Sequence, residues 1–239
     1  MWRVVLCTVA VALAMTAVPA EAKQHTVDTR HVHHSHAVRK HNVRRDVRQT
    51  PLRAAAPLTR PQPLPAPPPP AHVYLMRGFL NVFSLGIDDL GAKIQAAGIA
   101  AAVANHADAD NFLNQITTRY QSGDRGPIIL IGHSLGADAV IDMAQTLDRY
   151  DIPVALAILF DGTAPHAVPK NVAVAVNFTQ EFEIGPGPGF SGTISNVNLR
   201  GQEGIDHFTI DKAPALQAQA LDDVLRAASA QPGPQARRP

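Results

Sequence analysis

The chain has 239 residues, of which 46% are hydrophobic and 17% charged, enough apolar material for one well-buried domain of enzyme size with appendages. Its single cysteine, Cys7, excludes a fold held together by intrachain disulfides. The formal net charge of +1 hides an asymmetry: residues 23–71 contain nine Lys and Arg against two Asp, whereas residues 72–230 contain nine basic and seventeen acidic residues. Such an acidic domain argues against nucleic acid as its partner.

Residues 1–22 have the pattern of a secretory signal peptide. A short basic start precedes an uncharged apolar run at residues 4–18, and Ala20-Glu21-Ala22 predicts cleavage after residue 22. The apolar run is short for a membrane span, and an uncleaved membrane anchor is the alternative interpretation. We therefore expect an exported protein, periplasmic or secreted.

Residues 23–71 have no periodic apolar pattern and are expected to form a disordered basic linker, rich first in His and then in Pro. Four histidines in this segment indicate either a loose metal-binding cluster or a solvated basic tail, which is the preferred interpretation: His31, His33, His34 and His36. The clustered Lys and Arg predict contact with an anionic envelope surface. Residues 231–239 are predicted to form a second disordered tail.

Strand and helix patterns alternate from residue 72 to residue 230, which predicts a single α/β domain. The predicted strands are 72–78, 99–105, 128–131, 154–160, 172–178 and 193–199. Two helices are expected to be capped by Ser84 and Asp108, a third ends at Tyr150, and the last covers residues 214–228. The Gly-rich stretch 183–204 is otherwise predicted to be loop.

The apolar strand 128–131 ends in Gly132-His133-Ser134-Leu135-Gly136, and apolar residues at helical spacing follow. This strand, turn and helix form the setting of a nucleophile elbow. Because the turn is sharp, side chains at positions 132 and 136 would collide with the neighbouring strand and helix. The turn presents the Ser134 hydroxyl and places the backbone NH of Leu135 at a helix N-terminus, where it can donate to a developing oxyanion.

An activated serine needs a base and an acid that orients the base. His207 follows the last predicted strand, so its imidazole can reach the carboxyl edge of the sheet, where Ser134 is expected. His133 is excluded as the base because adjacent side chains at the turn point away from each other. Asp161 directly follows an apolar strand and is the preferred acid. Two alternatives follow the next strand: Glu181 and Glu183.

The motif at 132–136 with Asp161 and His207, in the order Ser, Asp, His, resembles the α/β-hydrolase superfamily, closest to its lipase and thioesterase branches. The resemblance covers residues 72–228. It implies a compact, mostly parallel sheet flanked by helices on both faces, without a cap domain and without a metal or organic cofactor. It also implies that the second oxyanion donor follows the first strand, where Phe79 is the candidate. Arg77 stands where the family usually has His, and the two antiparallel strands that open larger members have no counterpart unless the tail supplies them.

These features predict an exported serine hydrolase that cleaves a carboxylic ester or thioester of a small molecule or lipid through an acyl-enzyme on Ser134. Export favours an ester, because coenzyme A and carrier-protein thioesters are mainly intracellular. The site is expected to be open and edged by Phe79, Phe83 and Phe190, although ordinary core or loop packing is the preferred interpretation of each one. The alternative is a non-catalytic binding protein with a hydrolase fold, tethered to an anionic surface by its basic tail. Acyl chain length, the alcohol and the oligomeric state stay open at this stage.

Overall fold

The computed structural model describes residues 70–79 and 84–230. The predicted signal peptide, the linker up to residue 69 and the tail at 231–239 lie outside these residues. Within them, no helix is both long enough and apolar enough to cross a membrane.

The described residues alternate between strands and helices, as the sequence predicts. The helices are α1 Leu85–Ala96, α2 Ala109–Gln121, α3 Leu135–Asp148 and α4 Pro214–Ser229. The strands are β1 His72–Arg77, β2 Ala100–Asn105, β3 Ile128–His133, β4 Leu156–Phe160, β5 Ala167–Val168, β6 Val174–Thr179, β7 Gly185–Pro186 and β8 Thr193–Asn198. Short 3-10 turns at His106–Asp108 and Ile210–Lys212 precede α2 and α4.

Six strands form one sheet in the order β2-β1-β3-β4-β6-β8, and every neighbouring pair is parallel. β5 and β7 form a separate two-residue parallel pair. Because all six strands run the same way, the loops that follow their carboxyl ends meet at one edge of the sheet. The predicted fold class, an α/β fold built on a mostly parallel sheet, is confirmed.

Two hydrophobic cores cover the two faces of this sheet. Alternate residues along each strand point to opposite faces, so neighbouring positions of β1, such as Tyr74 and Leu75, belong to different cores. One core contains the inward face of α1 and α4, and the other contains that of α2 and α3. Helices therefore flank both faces of the sheet, as predicted, and no cap domain interrupts residues 84–230.

Element boundaries differ from the predictions at several ends. β4 and β6 begin two residues later than predicted, because Val154 and Val172 pair only with each other in an isolated bridge. α3 ends at Asp148, and the chain turns through Asp151 at a positive φ of 53°.

The predicted side-chain caps of α1 and α2 are wrong. Ser84 and Asp108 occupy the N-cap positions, but neither makes a side-chain capping hydrogen bond. The Ser84 hydroxyl is buried and is engaged by groups of the candidate site instead, which removes it from the helix end. Before α2, the Asn105 side chain accepts from the backbone NH of Ala107, so the cap falls on the 3-10 turn.

Candidate active site

Ser134 is the single residue between β3 and α3, and its backbone is strained. Its φ is 58° and its ψ is −128°, a region that non-glycine residues rarely adopt. Such a conformation costs about 1–3 kcal/mol and persists only where the surrounding fold enforces it. The fold does so through close packing: a Cβ added at Gly132 would lie 2.1 Å from the carbonyl oxygen of Gly136, and one added at Gly136 would lie 2.2 Å from that of Met76.

Three side chains from distant parts of the chain form a hydrogen-bonded series at the carboxyl edge of the sheet. His207 Nδ1 lies 2.7 Å from Asp161 Oδ2, and His207 Nε2 lies 3.0 Å from Ser134 Oγ. A carboxylate can only accept, so Nδ1 carries the imidazole proton and Nε2 accepts from the Ser134 hydroxyl. The structure thus brings together the predicted nucleophile, base and preferred acid in the geometry that activates a serine.

Asp161 is held in place by the turn that follows β4. Its φ is 49°, it is buried, and its Oδ1 accepts a 2.8 Å hydrogen bond from the backbone NH of Gln180. Burial acts to raise the pKa of Asp161, but the hydrogen bonds from His207 and Gln180 outweigh it and the pKa is lowered. The carboxyl group is therefore ionised at neutral pH. The alternative acids, Glu181 and Glu183, are both exposed.

The hydrogen bond to Asp161 raises the pKa of His207 above its usual value, against the opposing effect of burial. The negative charges of Asp161, Asp211 and Asp206 act in the same direction. The imidazolium form is thus stabilised, as a base that must accept a proton during the reaction requires.

The two candidate oxyanion donors flank Ser134. Leu135 is the first residue of α3, so its backbone NH has no acceptor within the helix and lies at the positive end of the helix dipole. Gly78 passes so close that a Cβ added there would lie 2.9 Å from Ser134 Cβ, which brings the segment leading to Phe79 beside the nucleophile. Arg77, which stands where the family usually has His, instead donates from Nε to Asp88 at 2.8 Å and ties β1 to α1.

Sequence reasoning missed two buried residues of the site, His133 and Ser84. His133 hydrogen-bonds to Ser84 Oγ and to the backbone carbonyl of His207, and its ring centroid lies 5.1 Å from that of the His207 ring. Burial lowers the pKa of His133 to about 4, so the ring is neutral at neutral pH. A histidine directly before the predicted nucleophile was the available signal. Its partners lie 49 and 74 residues away in sequence and could not be inferred.

A second polar group, also not predicted, supports the loop that carries Asp161. Asp138, in the first turn of α3, accepts from the backbone NH of Thr163 at 3.0 Å and from His166 Nε2 at 2.7 Å. The hydrogen bond to Asp138 raises the pKa of His166. These contacts fix the segment after Asp161 against the helix that follows Ser134.

Apolar side chains directly follow several residues of the candidate site in the sequence. Three large side chains next to site residues are strongly exposed, and we call them the apolar rim: Phe79 (61%), Leu85 (55%) and Phe208 (53%). The prediction of Phe190 as an edge residue is wrong, because it packs against the core near the start of β8. Phe83 lies outside the described residues. A groove of about 540 Å³ lies at the opposite, amino-terminal edge of the sheet, lined by the first residues of β3, β4 and β6.

No family model and no curated protein sequence matches the chain. Solved structures do resemble it. A cutinase-like protein from Cryptococcus sp. is 14% identical with a TM-score of 0.47, over 68% of this chain and 97% of that one. Human thioesterase 2 is 14% identical with a TM-score of 0.42, over 66% and 95%. RedJ, a thioesterase from the prodiginine pathway of Streptomyces coelicolor, is 14% identical with a TM-score of 0.40, over 68% and 91%.

At such identities a likeness concerns the fold and not the activity, and the fold is defined here by its own topology. The sheet is parallel in the order β2-β1-β3-β4-β6-β8, and helices cover both of its faces. Because its third strand leads through a strained serine turn into a helix, the described domain has an α/β-hydrolase fold.

Proposed function

We propose that the protein is an exported serine hydrolase that cleaves a carboxylic ester or thioester through an acyl-enzyme on Ser134. The observation that carries this proposal is the continuous hydrogen-bonded series from Ser134 through His207 to Asp161. The strained backbone at Ser134 costs folding free energy, and the buried, ionised carboxylate of Asp161 requires one specific tautomer of His207. Together these features indicate a functional site more than a structural one.

In the proposed reaction, Ser134 Oγ attacks the carbonyl carbon of the ester while its proton passes to His207 Nε2. The negative charge on the carbonyl oxygen is stabilised by the backbone NH groups of Leu135 and Phe79. The C–O bond then breaks, and the leaving alcohol takes the proton from His207. Water repeats the sequence on the acyl-enzyme, which releases the carboxylic acid and restores the serine.

Asp161 stabilises the imidazolium that forms in each half of the reaction. Its 2.7 Å hydrogen bond to Nδ1 also fixes the tautomer, which leaves the lone pair of Nε2 directed at Ser134. The carboxylate stays ionised throughout, in agreement with the lowered pKa of Asp161.

The apolar rim supports a substrate with an apolar acyl or alcohol group. Phe79, Leu85 and Phe208 expose large side chains and directly follow residues of the candidate site in the sequence, and an apolar group of a bound ester is proposed to cover them. The predicted signal peptide supports export, and in an exported protein an ester is the favoured substrate over an intracellular thioester. The basic residues between 23 and 69 are proposed to hold the domain at an anionic envelope surface.

The test is fluorophosphonate labelling of the purified mature protein, followed by initial rates on a p-nitrophenyl ester series of increasing acyl length. The wild type is expected to label at Ser134 and to hydrolyse the esters. Ser134→Ala should lose labelling and at least about a thousandfold in kcat, with its thermal unfolding near that of wild type. Folded wild-type protein that neither labels nor hydrolyses any ester would instead favour the binding-protein alternative.

A further inference from the structure

A second hydrogen-bonded series lies behind the first and connects the loops on either side of Ser134. The backbone NH of Gly78 lies 3.0 Å from Ser84 Oγ, which lies 2.8 Å from His133 Nδ1. His133 Nε2 in turn lies 2.7 Å from the backbone carbonyl oxygen of His207. Both Ser84 and His133 are about 1% exposed, so no water competes for these bonds.

The direction of each bond follows from the groups at the two ends. A backbone NH can only donate and a carbonyl can only accept. Ser84 Oγ therefore accepts from Gly78 and donates its own proton to His133 Nδ1, while His133 donates from Nε2 to His207. A neutral histidine protonated at Nε2 satisfies every polar group of the series.

The series joins the three parts that the proposed reaction needs. Gly78 precedes Phe79, one of the proposed oxyanion donors, and His133 is bonded covalently to the nucleophile Ser134. The carbonyl of His207 belongs to the residue that supplies the base.

We propose that His133 and Ser84 are positioning residues, which hold the backbones of His207 and Gly78 at fixed distances from Ser134. The inference rests on the proposed function. His133 acts on the base through the main chain of His207, and Ser84 acts on the oxyanion donor through the main chain of Gly78. Neither residue touches the substrate, so their loss should lower kcat while KM changes little.

Two substitutions of His133 distinguish the roles of its two ring nitrogens. In His133→Asn, the side-chain oxygen can still accept from Ser84, but the donor to the His207 carbonyl is lost. In His133→Gln, the amide can still reach that carbonyl, but the acceptor for Ser84 is lost. Ser84→Ala removes the support of Gly78 and leaves the bond between His133 and His207.

The experiment measures kcat, KM and the fluorophosphonate labelling rate of full-length mature protein for these three variants. His133→Asn is expected to lose about a hundredfold in kcat, and His133→Gln and Ser84→Ala about tenfold each, with KM within about threefold of wild type. The control is His72→Gln, which removes a partly buried histidine bonded to Asp124 at 2.7 Å, at the amino end of β1. This control can lose stability but should keep kcat.

Thermal unfolding of every variant separates positioning from folding. If His133→Asn does not fold, the kcat of His133→Gln and Ser84→Ala decides the matter. If the wild type is active and every folded variant keeps kcat within twofold of it, the inference is overturned and the proposed function stands. A loss of kcat in His72→Gln equal to that in the His133 variants would also overturn the inference. A wild type that neither labels nor hydrolyses would overturn the proposed function, and the inference with it.

Discussion

Asp211 carries a carboxylate in a place that should oppose its ionisation. It lies in the 3-10 turn Ile210–Lys212, close after His207, and its side chain is buried. Neither carboxylate oxygen meets full hydrogen-bond geometry with a described group, but the backbone NH groups of Gly86, Ile87 and Asp211 lie near enough to favour the ionised form. Burial raises the pKa of Asp211 from 3.8 to about 6, and the positive charge of Lys212 together with the nearby backbone NH groups offsets only part of this effect.

Replacing Asp211 with Asn should therefore stabilise the protein at neutral pH and not at acid pH. Below about pH 3 the carboxyl group is protonated in the folded and unfolded states alike, so its ionisation costs nothing. As the pH rises through about 6, the unfolded state has already released the proton and the folded state must follow. A difference of about two pKa units, at about 1.4 kcal/mol each, makes the folded wild type less stable by about 3 kcal/mol above that range.

The measurement is urea unfolding of wild type and Asp211→Asn at intervals from pH 4 to pH 8. The gap in unfolding free energy should widen in favour of the variant by about 2.5 kcal/mol between these limits, because the unfolded state is already partly ionised at pH 4. Asp222→Asn, on an exposed position of α4, controls for the change in net charge. A gap between wild type and Asp211→Asn that stays constant with pH would refute the reasoning, because it would show that the folded state ionises Asp211 as readily as the unfolded state.

Three further predictions concern activity and localisation. The value of kcat/KM on a soluble ester should fall as the pH drops through the pKa of His207, since the base must be neutral. Because Asp161 raises that pKa, the midpoint of the fall should lie above 6.5. A midpoint below 6 would contradict the assignment of His207 as the base. Asp161→Asn should lower kcat by about a hundredfold or more at saturating ester. Glu181→Gln and Glu183→Gln should keep kcat, and the opposite pattern would show that the acid is misassigned. Deleting residues 23–69 should leave kcat unchanged but remove the salt-sensitive binding of the mature chain to anionic vesicles. If the truncated protein binds the vesicles equally well, those residues act only as a spacer.

Local patterns in the sequence were sufficient to predict the class of fold and the position of Ser134. Buried parallel strands are continuous apolar runs, helices have apolar residues at a different period, and both are determined within about ten residues of chain. The turn at Ser134 is equally local, because Gly132 and Gly136 lie within two residues of it and their contacts arise wherever this strand leads into this helix. The ends of β4 and β6 were less predictable, because they depend on pairing between Val154 and Val172.

Only the tertiary structure decided which polar groups meet. The strand order places β4 beside β3 and directs Asp161 to His207, whereas the chain alone favoured Asp161 and left Glu181 and Glu183 open. The same order places β1 beside β3 and so brings Gly78 and Ser84 to His133. From the sequence, Ser84 was expected to cap a helix and His133 was excluded as the base. Hydrogen bonds between side chains so far apart in sequence have no local signature, because they depend on how the strands and loops pack once both cores are closed.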